Sequence, residues 1–421
     1  MHEVIDINGA QFIFSPFKNT QTASFGIFIK NGARFEEKKI KGAAHFLEHL
    51  IFKGSKKYSC KKIKQEIEGR GGSLNGFTSQ EITGYYAHFL NKNAALVADI
   101  ISDMVINPLI KEKDVEKERK VVLEEIKMYN DLPAARSSAL VDKLLWPGHA
   151  LGDEIAGSFE SVKKISRRDL HGFQQEFYTP GQMVISLSGD VLAQKVMKLL
   201  AMRIKKYNTD KAFVSRAPYP LNGLWTIIEK KPIEQTHLGI GFRGPSYLSK
   251  ERIAVEVMNI ILGGNMSSRL FEQLRENHPV CYDVSSEVKK YRDTGALVIH
   301  VGLDKAHLLT ALSGILKELI KISTFKVSGP ELSRAKDFFI GQLTMALERP
   351  QGFMFYAAES FIQSKKIESF ESLKKQIESV TFDDILNCAR KIFDLKNICV
   401  ACVGDVEEAC EEKIRAICSK V

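Results

Sequence analysis

The chain has 421 residues, 44% of them hydrophobic and 26% charged, the balance of a globular protein with two or three domains. No run nears the roughly 18 apolar residues of a membrane-spanning helix, so no membrane partner is expected. The net charge of +9 is spread through short clusters such as "EKKIK" and "SKKYSCKKIK" without interleaved aromatics, which argues for solvated helix faces over a nucleic-acid platform.

The opening segment, "MHEVIDINGAQFIFSPF", carries acids early and has no apolar signal core, which predicts a cytoplasmic protein or a form whose leader has been removed. Strand-like runs follow at Gln11–Phe14 and Ala23–Lys30. Next comes "GAAHFLEHLIFKGS", with small residues at its start, no internal Pro or Gly, and Gly54 to end it. These features predict a helix over Ala43–Phe52. His45 and His49 then lie one turn apart on one face, where two imidazoles can reach one cation. Zinc suits that spacing. Glu48, three residues after His45, points to the same side and can take a proton from a metal-bound water and hand it to a leaving amine. The alternative is a buried helix that merely carries polar side chains, but burying all three without partners would cost several kcal/mol. The order H-x-x-E-H is the signature of one class of zinc peptidases.

Further along, Cys60–Glu68 and Ala94–Val105 read as helices and Ile82–Phe89 as a strand. "DVEKERKVVLEEIKMYND" predicts a long helix over Asp114–Tyr129, with Val121, Val122 and Leu123 at its apolar centre. A catalytic zinc takes three protein ligands and keeps one position open. On this helix Glu118 and Glu125 share a face, being seven apart, while Glu124 lies on another. Residue pattern alone narrows the third ligand to Glu125, with Glu118 and Glu124 as alternatives.

After a strand at Met183–Ser188 comes a polar, Pro-containing stretch from Lys205 to Gly223, and then the chain repeats itself. "NGAQFIFSPFKNTQTASFGI" from Asn8 matches "NGLWTIIEKKPIEQTHLGI" from Asn222, and "MVISLSGDV" ending at Val191 matches "ICVACVGDV" ending at Val406. Both correspondences share nearly one offset, so the halves are tandem copies. The expected domains are 1–210, bearing the zinc site, and 222–421, joined by a linker at 211–221. Alternating strand and helix patterns make each an α+β domain, a mostly antiparallel sheet with helices packed on one face. Shifting His45, Glu48, His49 and Glu125 by 214 lands on Asn259, Leu262, Gly263 and Phe339. The polar set occurs once, which favours a local function over a scaffold role. The seven scattered cysteines, including the C-x-x-C of Cys399 and Cys402, read as reduced thiols buried as small core residues.

Taken together, these segments resemble the pitrilysin, or insulinase, zinc peptidases, whose members include the mitochondrial processing peptidase subunits and insulin-degrading enzyme. "ERKVVLEE" from Glu118 is similar to the family's E-R-x-V-V/I-x-x-E run, which implies Glu125 as the zinc ligand and Glu118 as its accessory acid. "GGSLNGFTSQEITGYYAHF" resembles the G-G-x-x-N-A-x-T segment leading into the strand whose edge holds substrate. Asn75 and Thr78 carry that match, and Gly76 stands in place of the usual Ala. "GGNMSSRLFEQLRENHPVCYDVSS" is similar to the stretch whose Arg and Tyr contact the substrate backbone, here Arg275 and Tyr282, with Pro279 for Gly and Cys281 for Ala.

The resemblance implies a zinc endopeptidase, with one zinc ion per chain and Glu48 as general base, cutting unfolded or presequence-like peptides. It also implies two-domain subunits that pair around a chamber, as a homodimer or with a related subunit. The rival within the same fold is a non-catalytic core or assembly subunit.

Overall fold

A computed structural model describes residues 2–206, 218, 219, 221–407 and 409–419. Most of the expected linker at 211–221 lies outside the described residues.

Two sheets organise the molecule. The first contains β1 (Glu3–Ile7), β2 (Ala10–Pro16), β3 (Thr22–Ile29), β4 (Ser73–Thr78), β5 (Thr83–Leu90) and β6 (Met183–Gly189), in the order β1-β2-β6-β3-β5-β4. The second contains β7 (Trp225–Lys230), β8 (Gln235–Gly244), β9 (Cys281–Lys290), β10 (Gly295–Asp304) and β11 (Cys399–Gly404), in the order β7-β11-β8-β10-β9. The second order is the first without β1. Both sheets are antiparallel except for one parallel pair each, β2 with β6 and β7 with β11. The pairing registers also repeat: Gln11 opposes Val184 in one sheet, and Trp225 opposes Cys399 in the other. The duplication read from sequence is therefore a duplication of strand pairing.

The first half of the chain supplies α1 (Ala43–Ile51), α2 (Cys60–Ile67), α3 (Ala94–Ile106), α4 (Glu112–Asp131), α5 (Pro133–Leu145), α6 (Phe159–Lys164), α7 (Arg167–Phe177) and α8 (Ala193–Arg203). All but α5 bury their apolar stripes against one face of the first sheet, around Phe25, Ile27, Phe46, Leu47, Ile101 and Val122. The second half supplies α9 (Arg252–Leu262), α10 (Arg269–Phe271), α11 (Leu308–Thr324), α12 (Gly329–Leu347), α13 (Pro350–Ser364), α14 (Phe370–Ser379), α15 (Phe382–Ile392) and α16 (Cys410–Ser419). All but α13 contribute to the equivalent core on the second sheet.

The two exceptions change places. Helix α13 lays Met354, Ala357, Ala358 and Ile362 on the opposite face of the first sheet, against Ile13, Phe28 and Val184. Helix α5 lays Leu140, Val141, Leu144 and Leu145 on the opposite face of the second, against Val298, Ala401 and Val403. Helices thus crowd one face of each sheet, as the patterning predicts, and among the described residues a single helix covers the other. The compact units follow this exchange instead of one cut near residue 211. The first takes the described residues up to Lys127, those from Glu154 to Lys206, and Met345–Ile367; the second takes Met128–Asp153 and the rest. Double coverage explains why the central strands β3, β6 and β11 are buried nearly throughout instead of alternating with solvent, as in the fully buried "CVACVG" of β11. Its two cysteines are core residues, and six of the seven cysteines are buried.

Among the described residues no helix is long and apolar enough to cross a membrane. Met354, fully buried against the first sheet, tests the exchange. Met354→Ala should lower the unfolding free energy by about 2–5 kcal/mol in urea titration, although the residue lies in the other half of the sequence. An unchanged midpoint would mean that α13 does not pack there.

Candidate metal centre

Helix α1 begins where the buried carboxylate of Glu36 accepts hydrogen bonds from the backbone N–H groups of Gly42 (2.8 Å) and Ala44 (2.7 Å). Two otherwise unpaired donors of the first turn are satisfied this way, and the negative charge suits the helix N-terminus. Phe46, Leu47 and Leu50 anchor the helix in the core. That anchorage turns His45, Glu48 and His49 together to one side, each partly buried.

Helix α4 brings the acids. Its Val122 and Ile126 are buried, whereas Val121, expected at the apolar centre, is 48% exposed. Glu124 faces solvent and takes a hydrogen bond from Lys127 (2.6 Å), which removes it as a ligand. Glu125 points at the histidines: its Oε2 lies 3.7 Å from His45 Nε2 and 3.4 Å from His49 Nε2. Glu118, one heptad earlier and buried, lies 3.5 Å from His49 Nδ1 and 2.8 Å from Lys53 Nζ. It braces the ring of His49 from the side away from Glu125, as carboxylates commonly do for ligating histidines.

The donor set fits zinc. Two imidazole nitrogens and one carboxylate oxygen, all within 4.8 Å of one another, match the three-ligand catalytic arrangement. Ligand atoms at about 2.0–2.2 Å from a tetrahedral ion stand about 3.3–3.6 Å apart, close to the two Glu125 distances. Among the described residues His45 Nδ1 is buried without a hydrogen-bond partner, so this ring owes its orientation to packing and to what Nε2 faces.

The electrostatics favour a cation between the rings. Burial first, then the neighbouring His49, hold the His45 imidazole down to about 4, with Glu125 opposing. His45 is therefore a neutral nitrogen donor near pH 7, and its contact with Glu125 is no ion pair. Burial also pulls His49 down, but hydrogen bonding to Glu125 and the charges of Glu125, Glu48 and Glu118 outweigh it and raise the pKa. His49 in turn lowers Glu125, burial opposing.

Glu48 stands apart from this set. Burial raises its pKa, opposed by the hydrogen bond from Thr78 and by His49. Thr78 Oγ1 donates to Glu48 Oε2 at 2.8 Å. Strand β4 can run this close because position 76 is glycine: a Cβ there would lie 3.2 Å from Glu48 Cγ and 3.0 Å from the Phe52 ring. Asn75 is exposed on the same strand. The outer edge of the sheet is β4 itself, since β5 is paired on both sides by β3 and β4. The edge expected of the following strand is thus shifted by one strand.

Arg275 and Tyr282 belong to the second unit. Arg275 lies in a π-helical stretch, Glu272–Asn277, with its guanidinium 4.8 Å over the Phe271 ring. Tyr282 is the second residue of β9 and is 44% exposed. The copied positions are structural: Asn259 is buried on α9, where its Oδ1 accepts from Ser286 Oγ (2.7 Å), and Leu262 is core. Sequence reasoning missed Lys53, detectable as a cation four residues after His49, and Glu36, whose capping role has no local signal.

Metal content tests the donor set. Purified protein should carry about one zinc ion per chain, read by elemental analysis. Replacing His45, His49 or Glu125 with alanine should abolish retention, whereas Glu124→Ala should leave it intact.

The family described as Insulinase (Peptidase family M16) matches residues 13–158, and the Peptidase M16 inactive domain matches residues 164–339. The uncharacterized zinc protease YmxG of Bacillus subtilis (strain 168) is 30% identical over 386 residues, covering 92% of this chain and 94% of that protein. The uncharacterized zinc protease ML0855 of Mycobacterium leprae (strain TN) is 31% identical over 394 residues, covering 92% and 88%. Among solved structures, a protease from Helicobacter pylori superposes with a TM-score of 0.90 at 22% identity, over 96% of this chain and 99% of that one. A chain of Complex III2 from Candida albicans does so with 0.84 at 16% identity, over 99% of each. At these identities the structural likenesses speak for the fold alone.

Proposed function

The chain belongs to the insulinase family of peptidases, peptidase family M16, and from that premise we propose that it is a zinc-dependent endopeptidase that cuts unfolded or presequence-like peptides. One observation carries the reading: His45, His49 and Glu125 converge from two helices, with the carboxylate of Glu48 on the same helix face as the two rings.

A zinc ion held by these three residues would polarise the scissile carbonyl and make water acidic enough to deprotonate near neutral pH. Glu48 is the general base that removes that proton and then the acid that delivers it to the leaving amine. Its burial suits both roles, because a carboxylate raised above its ordinary pKa is a better proton acceptor. The Thr78 hydroxyl fixes one carboxylate oxygen. Glu118 keeps His49 oriented, and Lys53 offsets its charge.

Substrate adds to the free edge of β4 as an extended strand. Main-chain hydrogen bonds supply much of the affinity there, so many sequences are tolerated. Asn75 on β4, and Arg275 and Tyr282 in the second unit, position the peptide backbone. The two-domain subunits pair, as a homodimer or with a related subunit, to enclose the chamber in which cleavage occurs. A scaffold role would place no demand on a complete donor set, and this chain keeps one.

Glu48→Gln tests the mechanism. The variant should retain zinc and cleave an unfolded peptide at least about a hundredfold more slowly, the usual worth of a positioned base. A wild-type rate in the zinc-loaded variant would exclude Glu48 as the base. Zinc-loaded wild-type protein that cleaves no unfolded peptide would exclude the peptidase reading altogether.

A further inference from the structure

Tyr282 owes its direction to an irregularity in β9. Along the β9–β10 pair Gly302 opposes Asp283, but Leu303 opposes Cys281, so Tyr282 is the extra residue of a β-bulge. Cys281 and Val284 on either side both turn into the helix-covered core. The inserted residue lets the phenol leave that core instead.

Across the pair, Gly302 has no backbone reason to be glycine, because its φ is not positive. Glycine inside a strand weakens it. Here the missing side chain makes room, since a Cβ on Gly302 would lie 2.3 Å from the Tyr282 phenol oxygen and 2.4 Å from Cζ. The phenol therefore rests directly on the backbone of β10.

Gly302 opposes His237 of β8 on its other side. His237 Nε2 lies 3.4 Å from the Tyr282 oxygen, with the rings nearly perpendicular at 83°. Burial first lowers the His237 pKa, Asp283 opposing and His300 adding. A neutral imidazole has one donor and one acceptor nitrogen. Whichever group donates in the contact with Tyr282, the phenol keeps a free hydrogen-bonding function.

We propose that Gly302 and His237 are positioning residues that hold the Tyr282 phenol flat across three strands, aimed at a main-chain group of an extended peptide. This rests on the substrate role proposed above for Tyr282. An alanine at 302 can be accommodated if the half-exposed phenol swings away, a move that leaves the core intact.

The test uses full-length, zinc-loaded protein and a quenched fluorescent unfolded peptide, with kcat, KM, zinc content and thermal midpoint measured for each variant. Tyr282→Phe and Gly302→Ala should each lower kcat/KM by about three- to tenfold, the worth of one hydrogen bond, with zinc content and midpoint unchanged. The double variant should be no worse than Tyr282→Phe alone. His237→Leu should show a smaller loss that His237→Gln, which restores a polar group at the Nε2 position, recovers.

If Gly302→Ala keeps wild-type kinetics while Tyr282→Phe is impaired, the positioning role is overturned and the substrate role of Tyr282 stands. If both keep wild-type kinetics on a cleaved peptide, the substrate role itself falls. Multiplied losses in the double variant would also overturn the proposal. Should Gly302→Ala fail to fold, wild-type kinetics in His237→Leu would do so.

Discussion

The site depends on one constraint: two imidazoles one helical turn apart must meet a carboxylate from a different helix. Neither helix can satisfy it alone. The spacing on α1 is set by the 3.6-residue period, but the approach of Glu125 is set by how α4 packs on the same core through Val115, Val122 and Ile126. The burial that brings the donors together also desolvates them. It holds His45 neutral and leaves the negative charge of Glu125 beside it only partly compensated. A small divalent ion resolves that mismatch better than a proton, which can be shared with only one of the rings.

Around this meeting point the chain spends polar residues on orientation. Glu36 fixes the start of α1, Glu118 and Lys53 fix the far side of His49, and Thr78 fixes Glu48. Each reaches the site from a different element, and orientation of this kind is what positioned catalysis demands. The second copy shows what remains when that demand lapses. Asn259 at the position of the first histidine is satisfied by Ser286, Leu262 fills the core where Glu48 would stand, and the order of the five shared strands persists.

Much of this was legible in sequence. The helical period placed His45, Glu48 and His49 on one face, and the seven-residue spacing put Glu118 and Glu125 together. The strand-like runs at Ala23–Lys30 and Met183–Ser188 marked β3 and β6. Other features depend on distance in sequence that no local pattern carries. Glu124 and Glu125 differ by 100° around a helix, and only packing decides which faces inward. Strand β4, "SLNGFT", carries no local strand signal, because its edge position and one-sided burial give it few β-branched residues. Arg269 sits inside a motif read as substrate-binding, yet its guanidinium forms two hydrogen bonds with Glu331 at the start of α12. The exchanged helices were the least legible. Nothing in α5 or α13 says which sheet it will cover, since an apolar stripe fits either.

That exchange bears on how the polypeptide acquires its structure during synthesis. The first sheet is complete in strands once residue 189 has left the ribosome, yet one of its faces stays bare until residues 350–364 emerge. At about 5–20 residues per second the wait lasts roughly ten to thirty seconds, with Ile13, Phe28 and Val184 exposed throughout. The nascent amino-terminal half thus carries an apolar face that its own residues leave uncovered, and its packing is completed only when the other half is made.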